Sequence, residues 1–183
     1  MTIRRIYGFD HPTLREKAKK VAKVDPSVVR LIDDLAETML AAPGAGLAAP
    51  QIGVPLRVFV VRGDENQVIG LVNPEIVKGT GVQVGYEGCL SYPGWVGEVA
   101  RYEEVVLKGR NRHGKEVRIK AVGFTARAYQ HELDHLDGIL FIDRLTSLDT
   151  LRKLEDLPDE DDEADGEDRD EGQQRAEAAA LPA

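Results

Sequence analysis

Cysteine is almost absent from this 183-residue chain, and long apolar runs are missing altogether. A single cysteine cannot form a disulfide within the chain. No stretch approaches the run of about 20 apolar residues that a membrane-spanning helix needs. The first residues are also not followed by the apolar segment of a signal peptide. We therefore expect a protein of the reducing cytoplasm with no membrane partner.

Negative charge is confined to one end of the chain. The sequence holds 32 acidic and 24 basic residues, a net charge of -8. Residues 159–183 contain 11 acids and 2 arginines, a net of -9, so the rest of the chain is close to neutral at +1. The acidic end has no core-forming periodicity. We expect a catalytic domain over residues 1–157, a disordered acidic tail over residues 158–183 and no direct DNA binding.

The most informative stretch is His131-Glu132-Leu133-Asp134-His135, which has the HExxH pattern. On a helix, two histidines at this spacing lie one turn apart on the same side, with a carboxylate beside them. The pattern is typical of a metal site that carries its own base.

A helical wheel over residues 124–137 divides that helix into two arcs. The narrow polar arc contains Arg127, Gln130, Asp134 and Asp137. The other arc is apolar apart from His131, Glu132 and His135, and we expect it to be the buried one. Burying unpaired charge costs several kcal/mol, which a divalent cation would offset. A lone buried histidine is usually only hydrogen-bonded, but two with an intervening glutamate favour a metal.

Two histidines leave the ligand set incomplete, and the sequence offers different third ligands. The longer pattern HExxHxxGxxH fails because Phe141 stands where its last histidine would be. Glu155 lies about a score of residues downstream, as in thermolysin-like proteases, and would make the chain an HExxH metalloprotease. The other candidate is Cys89, in a turn of small residues. A free cysteine is often only a small buried apolar residue. Its thiolate form, however, binds zinc or iron well.

A second informative stretch is rich in glycine and alanine: Gly44-Ala45-Gly46-Leu47-Ala48-Ala49-Pro50-Gln51. Its single GxG is weak evidence for phosphate binding, because no strand precedes it and no Lys-Ser/Thr follows. A loop of this kind also suits a backbone that must approach a peptide closely.

Three segments together resemble bacterial-type peptide deformylase. They are the glycine-rich stretch, Glu87-Gly88-Cys89-Leu90-Ser91 and the HExxH stretch, in the family's order and at about its spacing. The resemblance covers about residues 6–146. It implies an α+β fold of mostly antiparallel β-sheets packed around a central metal-binding helix. It also implies a hydrolase of protein biosynthesis that removes the formyl group from N-formylmethionyl nascent peptides and so begins N-terminal methionine processing.

The resemblance further implies roles for individual residues. One divalent ion would be bound by Cys89, His131 and His135. The resemblance implies Fe²⁺, and Zn²⁺, Ni²⁺ or Co²⁺ are the other candidates. Glu132 would move protons, while Gln51 and the Leu90 backbone N–H would stabilise the oxyanion. The substrate-binding residues would be Gly44, Gly46, Glu87, Phe124 and Ala128. Transient association with the ribosome is also implied, although an acidic tail would be repelled by RNA phosphate.

The remaining secondary structure follows from periodicity and turn residues. An amphipathic helix is predicted from Pro26 to about Ala42, with Asp25 as its N-cap. Strands are predicted at 56–61, 68–72, 75–78, 82–86, 95–100, 102–110 and 116–122. Asn73-Pro74 is predicted to be a turn, and residues 148–157 a brief final helix.

Overall fold

The computed structural model describes residues 2–63 and 67–156. The predicted tail over residues 158–183 lies outside the described residues, and so does its boundary with the catalytic domain. The fold is α+β, as predicted, and the described ranges contain two α-helices, two antiparallel sheets and several 3₁₀ turns. No helix in the described part of the chain is long and apolar enough to cross a membrane.

Helix α1, Pro26–Ala41, forms as its sequence predicts. The Asp25 carboxylate accepts hydrogen bonds from the backbone N–H groups of Ser27 and Val28, and Pro26 occupies the first helical position. The buried side is the apolar stripe, which comprises Val28, Leu31, Ile32, Leu35 and Met39. This stripe packs α1 against the larger sheet.

The larger sheet has five strands in the order β1-β2-β3-β6-β7. They are β1 (Gly46–Ala48), β2 (Val58–Arg62), β3 (Val68–Thr80), β6 (Glu104–Arg110) and β7 (Glu116–Val122). Side chains of β2 alternate between its two faces, as the pleat requires. Val58 and Val60 pack in the core beside α1, whereas Phe59 and Val61 pack in the core beside the second helix. The sheet is therefore covered by a helix on each side.

The smaller sheet has the strand order β4-β5-β8. Its strands are β4 (Gln83–Cys89), β5 (Tyr92–Arg101) and β8 (Arg152–Lys153). The predicted final helix over residues 148–157 is wrong. Two 3₁₀ turns flank β8 there, because Arg152 and Lys153 pair with β5 instead of continuing a helix.

The predicted turn at Asn73-Pro74 is also wrong, because β3 continues through it. The pairing with β6 shifts between Val72 and Glu75, which is the mark of a bulge. Asn73 has a φ of 50°, and its side chain bonds both the N–H and the C=O of Val21 at 2.8 Å. Proline is tolerated at this point because a bulge leaves a backbone N–H out of the ladder.

Helix α2, Gly123–Leu136, carries the HExxH stretch and packs against the larger sheet. Gly138 follows its end with a φ of 76°, a conformation that favours glycine. A Cβ at Gly138 would lie 2.9 Å from the backbone carbonyl carbon of Arg15. Glycine thus ends the helix and lets the N-terminal segment pass close behind it.

Candidate metal centre and active site

The ligand cluster joins helix α2 to the smaller sheet. Cys89, His131 and His135 each direct a donor atom to one place, and these atoms lie within 4.8 Å of one another. Cys89 Sγ is 3.3 Å from His135 Nε2. Cys89 is the last residue of β4, and the turn that was expected to contain it begins one residue later, at Leu90. The register of the hairpin therefore fixes where the sulfur lies.

The competing third ligand does not reach this cluster. Glu155 is exposed, and its carboxylate pairs with Lys153 at 3.0 Å. Among the residues that the structure describes, the group able to hold an ion is Cys89, His131 and His135. Three protein donors that leave a coordination position open are typical of catalytic sites. The geometry thus favours the thiolate ligand set over the metalloprotease alternative.

The electrostatics of the cluster favour the thiolate form of Cys89. Burial alone would raise the pKa of the Cys89 thiol, but the charge of His135 and hydrogen bonds with His131 and His135 bring it well below its usual value. The thiolate is the ligand form of cysteine. Burial would lower the pKa of His131, but hydrogen bonds with Cys89 and Glu87 raise it well above its usual value. Because metal ligands bind without their protons, binding of an ion would displace the proton from His131.

Glu132 is buried beside the ligands with an unsatisfied oxygen. Its Oε2 atom has no hydrogen-bond partner among the described residues. Burial raises the pKa of Glu132 to about 7, against the lowering effect of His131 and His135. Gly46 lies directly against it: a Cβ at Gly46 would come within 2.7 Å of Glu132 Cγ. The close approach of β1 to the carboxylate thus requires glycine.

Gln51 is fully buried and aims its amide nitrogen at the cluster. Its Oε1 accepts a hydrogen bond from Ala48 N at 2.8 Å, while its Nε2 donates to Ser91 Oγ at 3.2 Å and lies 3.6 Å from Cys89 Sγ. The 3₁₀ turn Ala49–Ile52 positions the residue. Ser91 was not singled out from the sequence, where nothing distinguished it from any other turn serine.

Glu87 was expected to bind substrate. The structure places it in the wall of the cleft, with its carboxylate against the candidate ligand His131. Its Oε2 lies 2.9 Å from His131 Nδ1, which leaves Nε2 as the nitrogen available to an ion. Its other bonds come from Arg101, at 2.8 and 2.9 Å, and from Arg127, at 3.0 Å. Burial would raise the pKa of Glu87, but Arg101 and His131 outweigh burial and hold it below its usual range.

The charged network continues on the side of α2 that was predicted to face solvent. Arg101 Nη1 lies 2.5 Å from Asp134 Oδ2, and Arg144 Nη2 lies 3.0 Å from Asp134 Oδ1. Arg127, Gln130 and Asp134 are all buried, so the burial inferred from the helical wheel is wrong for this arc. Arg101 was missed because its partners are distant in sequence. The clustering of polar residues in one narrow arc of α2 was the available signal.

A cleft of about 430 Å³ opens beside the cluster. The residues expected from the sequence that line it are Gly44, Gly46, Gln51, Glu87, Cys89, Leu90, Phe124, Ala128, His131 and Glu132. Phe124 is 71% exposed, which places it at the rim and not in the buried arc where the wheel put it. Tyr86, Trp95 and Leu154 also line the cleft, although no sequence pattern pointed to them.

Comparison with known proteins gives consistent matches. The family model described as polypeptide deformylase matches residues 3–151. A peptide deformylase of Dehalococcoides mccartyi (strain CBDB1) is 55% identical over 148 residues, which are 80% of this chain and 89% of that protein. One from Halothermothrix orenii is 52% identical over 146 residues, 79% of this chain and 95% of that protein.

Solved structures give the same result. A crystal structure of a peptide deformylase from Legionella pneumophila superposes with a TM-score of 0.76 at 46% identity, covering 80% of this chain and 88% of that one. The peptide deformylase of Thermotoga maritima superposes with a TM-score of 0.77 at 39% identity, covering 80% of this chain and all of that one.

Proposed function

The chain belongs to the polypeptide deformylase family, and from that membership we propose how the residues of its cleft divide the reaction. The protein is a metal-dependent hydrolase that removes the N-formyl group from the N-terminal methionine of nascent polypeptides and releases formate. The observation that supports the assignment of roles is the meeting of Cys89 with His131 and His135 beside a buried glutamate.

We assign Cys89, His131 and His135 as the ligands of a single divalent ion. One thiolate and two imidazoles suit iron, zinc, nickel or cobalt, and the choice of Fe²⁺ rests on the family resemblance. Such an ion would lower the pKa of a water molecule in the site and would polarise the carbonyl oxygen of the substrate. Glu87 holds His131 in the orientation and tautomer that this role requires.

Glu132 is the general base and then the general acid. It accepts a proton from the attacking water, and it returns that proton to the departing amine as formate leaves. Its burial and its pKa of about 7 support both roles, because a group with a pKa near the working pH both accepts and gives a proton readily.

The Gln51 amide and the Leu90 backbone N–H stabilise the developing oxyanion of the formyl group. Gln51 supports this assignment because Ala48 fixes its Oε1, so that Nε2 faces the cleft side. Donors that are already oriented before reaction stabilise such a charge without reorganisation.

The rest of the cleft binds the peptide. Gly44 and Gly46 let the substrate backbone lie close to β1, while Phe124 and Ala128 border the methionine side chain. We also propose that the enzyme works in the cytoplasm, where a thiolate ligand stays reduced, and that it associates transiently with the ribosome.

Formate release from formyl-Met-Ala-Ser tests this assignment, with protein prepared without oxygen and loaded with iron or nickel. Glu132→Gln should lose about 10²- to 10⁴-fold in kcat while binding metal normally. If neither loaded form of the wild-type protein releases formate, the assignment fails. A metalloprotease that used Glu155 would instead cut internal peptide bonds and would keep its metal after Cys89→Ser.

A further inference from the structure

Two segments of the chain are strongly basic, although the chain as a whole is acidic. Residues 15–23 contain five basic residues and one acid, and residues 108–120 contain six basic residues and one acid. Their combined net charge is +9, whereas the whole chain carries -8. We call these two segments together the basic face.

The fold brings the two segments side by side. Arg110, at the end of β6, donates from Nη1 to the carbonyl oxygen of Ala22 at 3.2 Å. Asn73, in the bulge of β3, bonds the backbone of Val21. A groove of about 1120 Å³ runs between the segments. Its basic lining residues are Lys17, Lys20, Arg57, Lys108, Arg110 and Arg118.

Part of this charge is neutralised within the protein. Arg57 and Lys17 share Asp137, at 2.7 and 3.7 Å, and Lys108 pairs with Glu75 at 3.1 Å. These pairs reduce the positive charge that Lys17, Arg57 and Lys108 offer to a ligand.

Other cations of the basic face remain available. Lys19, Lys20, Lys23, Lys115 and Arg118 are exposed, and none has a carboxylate within 4 Å in the described part of the chain. Within the described ranges, these five side chains make none of the buried hydrogen bonds that fix the charged groups around the metal site. Their charge therefore faces solvent, where it attracts anions over roughly a Debye length of 8 Å at physiological salt.

We propose that the basic face binds the phosphate backbone of RNA. A groove edged by cations on both walls fits a curved, regularly charged polymer better than it fits a planar membrane surface. Lysine and arginine contacts of this kind neutralise phosphates and release counterions, without reading sequence. The proposal adds a surface to the ribosome association proposed above. Its test requires no turnover, so its failure and a failure of the deformylase assignment are distinguishable.

The test is fluorescence anisotropy of a labelled RNA hairpin of about 20 nucleotides, titrated with the full chain between 50 and 200 mM KCl. The double variant Lys20→Gln/Arg118→Gln removes two unpaired cations from the groove. The matched control, Arg5→Gln/Arg30→Gln, changes the net charge equally at exposed positions outside the basic face. The slope of log K against log salt should become shallower by about one for each groove residue removed. The control should leave the slope unchanged, because the slope counts contacted phosphates and not net charge.

The acidic residues 159–163 supply a competing polyanion within the same chain, so a third protein replaces these five acids by their amides. Binding that emerges only in this protein, and is lost again with Lys20→Gln/Arg118→Gln, supports the basic face and identifies the acidic segment as its competitor. Equal weakening by the groove variant and the control would overturn the proposal. So would the absence of RNA binding at 50 mM KCl in both the wild-type and the amide-substituted proteins.

Discussion

Replacing Arg101 with glutamine should destabilise the protein and weaken its hold on the ion. The Arg101 side chain is only 5% exposed and bonds three carboxylate oxygens: both of Glu87, at 2.8 and 2.9 Å, and Oδ2 of Asp134, at 2.5 Å. Glutamine leaves both carboxylates in place but removes the positive charge between them. Breaking a buried pair in this way costs about 3–5 kcal/mol.

The effect on the metal should be separable from the effect on folding. Glu87 would keep its contacts with Arg127 and His131, but it would lose the partner that binds both of its oxygens. Removing a group that orients a metal ligand typically weakens metal affinity 10- to 100-fold. The two quantities are measured by urea unfolding and by competition with a chelator for Co²⁺, whose absorption spectrum also reports ligand geometry.

Two further variants make this reasoning refutable. Arg144→Gln is the matched control, because Arg144 bonds the same Asp134 from a half-exposed position, where such pairs contribute at most about 1 kcal/mol. Arg101→Lys keeps the charge but cannot bind two oxygens at once, so it should recover only part of the affinity. If Arg101→Gln lost less than about 1 kcal/mol and gave a wild-type Co²⁺ spectrum and affinity, the network would have no influence on His131.

Three other substitutions follow from the site and the helix cap. Cys89→Ser should abolish the thiolate-to-Co²⁺ absorption band and sharply reduce formate release; an unchanged band would mean that the sulfur is not a ligand. Gly46→Ala should drive a methyl group into Glu132 and reduce kcat far more than metal content, which elemental analysis of the same sample would test. Asp25→Ala should lower the melting temperature at pH 7, because the cap's hydrogen bonds hold the pKa of Asp25 below its usual value. That stabilisation is present above the unfolded-state pKa of about 3.9 and is lost as pH falls, so the melting curves of variant and wild type should converge in acid.

Sequence patterns predicted those helices and strands whose formation depends on residues close together in the chain. Helix α1 follows from Asp25, Pro26 and an apolar stripe, and the hairpin of β6 and β7 follows from two apolar runs around a turn. The helix that carries the HExxH stretch was also predicted to within one residue at each end. The family and its reaction were recognisable because three short motifs occurred in order.

Burial around α2 could not be predicted, since it depends on partners from elsewhere in the chain. A helical wheel ranks faces by polarity, and Arg127 and Asp134 look like solvent-facing residues until Glu87 and Arg101 are known to meet them. The same reason explains Asn73-Pro74, where a side-chain bond to Val21 allows a strand to continue through a turn signal. Long-range folding alone brings Ser91 to Gln51 and brings Leu154 to the cleft.

The proposed ligands come from two separately built parts of the molecule: a sulfur at the end of one hairpin, and ring nitrogens on a helix that packs against the other sheet. An ion bound by both parts would crosslink them. Its binding would increase the free energy of unfolding in proportion to the logarithm of the ratio of ion concentration to Kd. Amide protons of the β4–β5 hairpin should therefore exchange faster after chelation, while those of α1 should scarcely change.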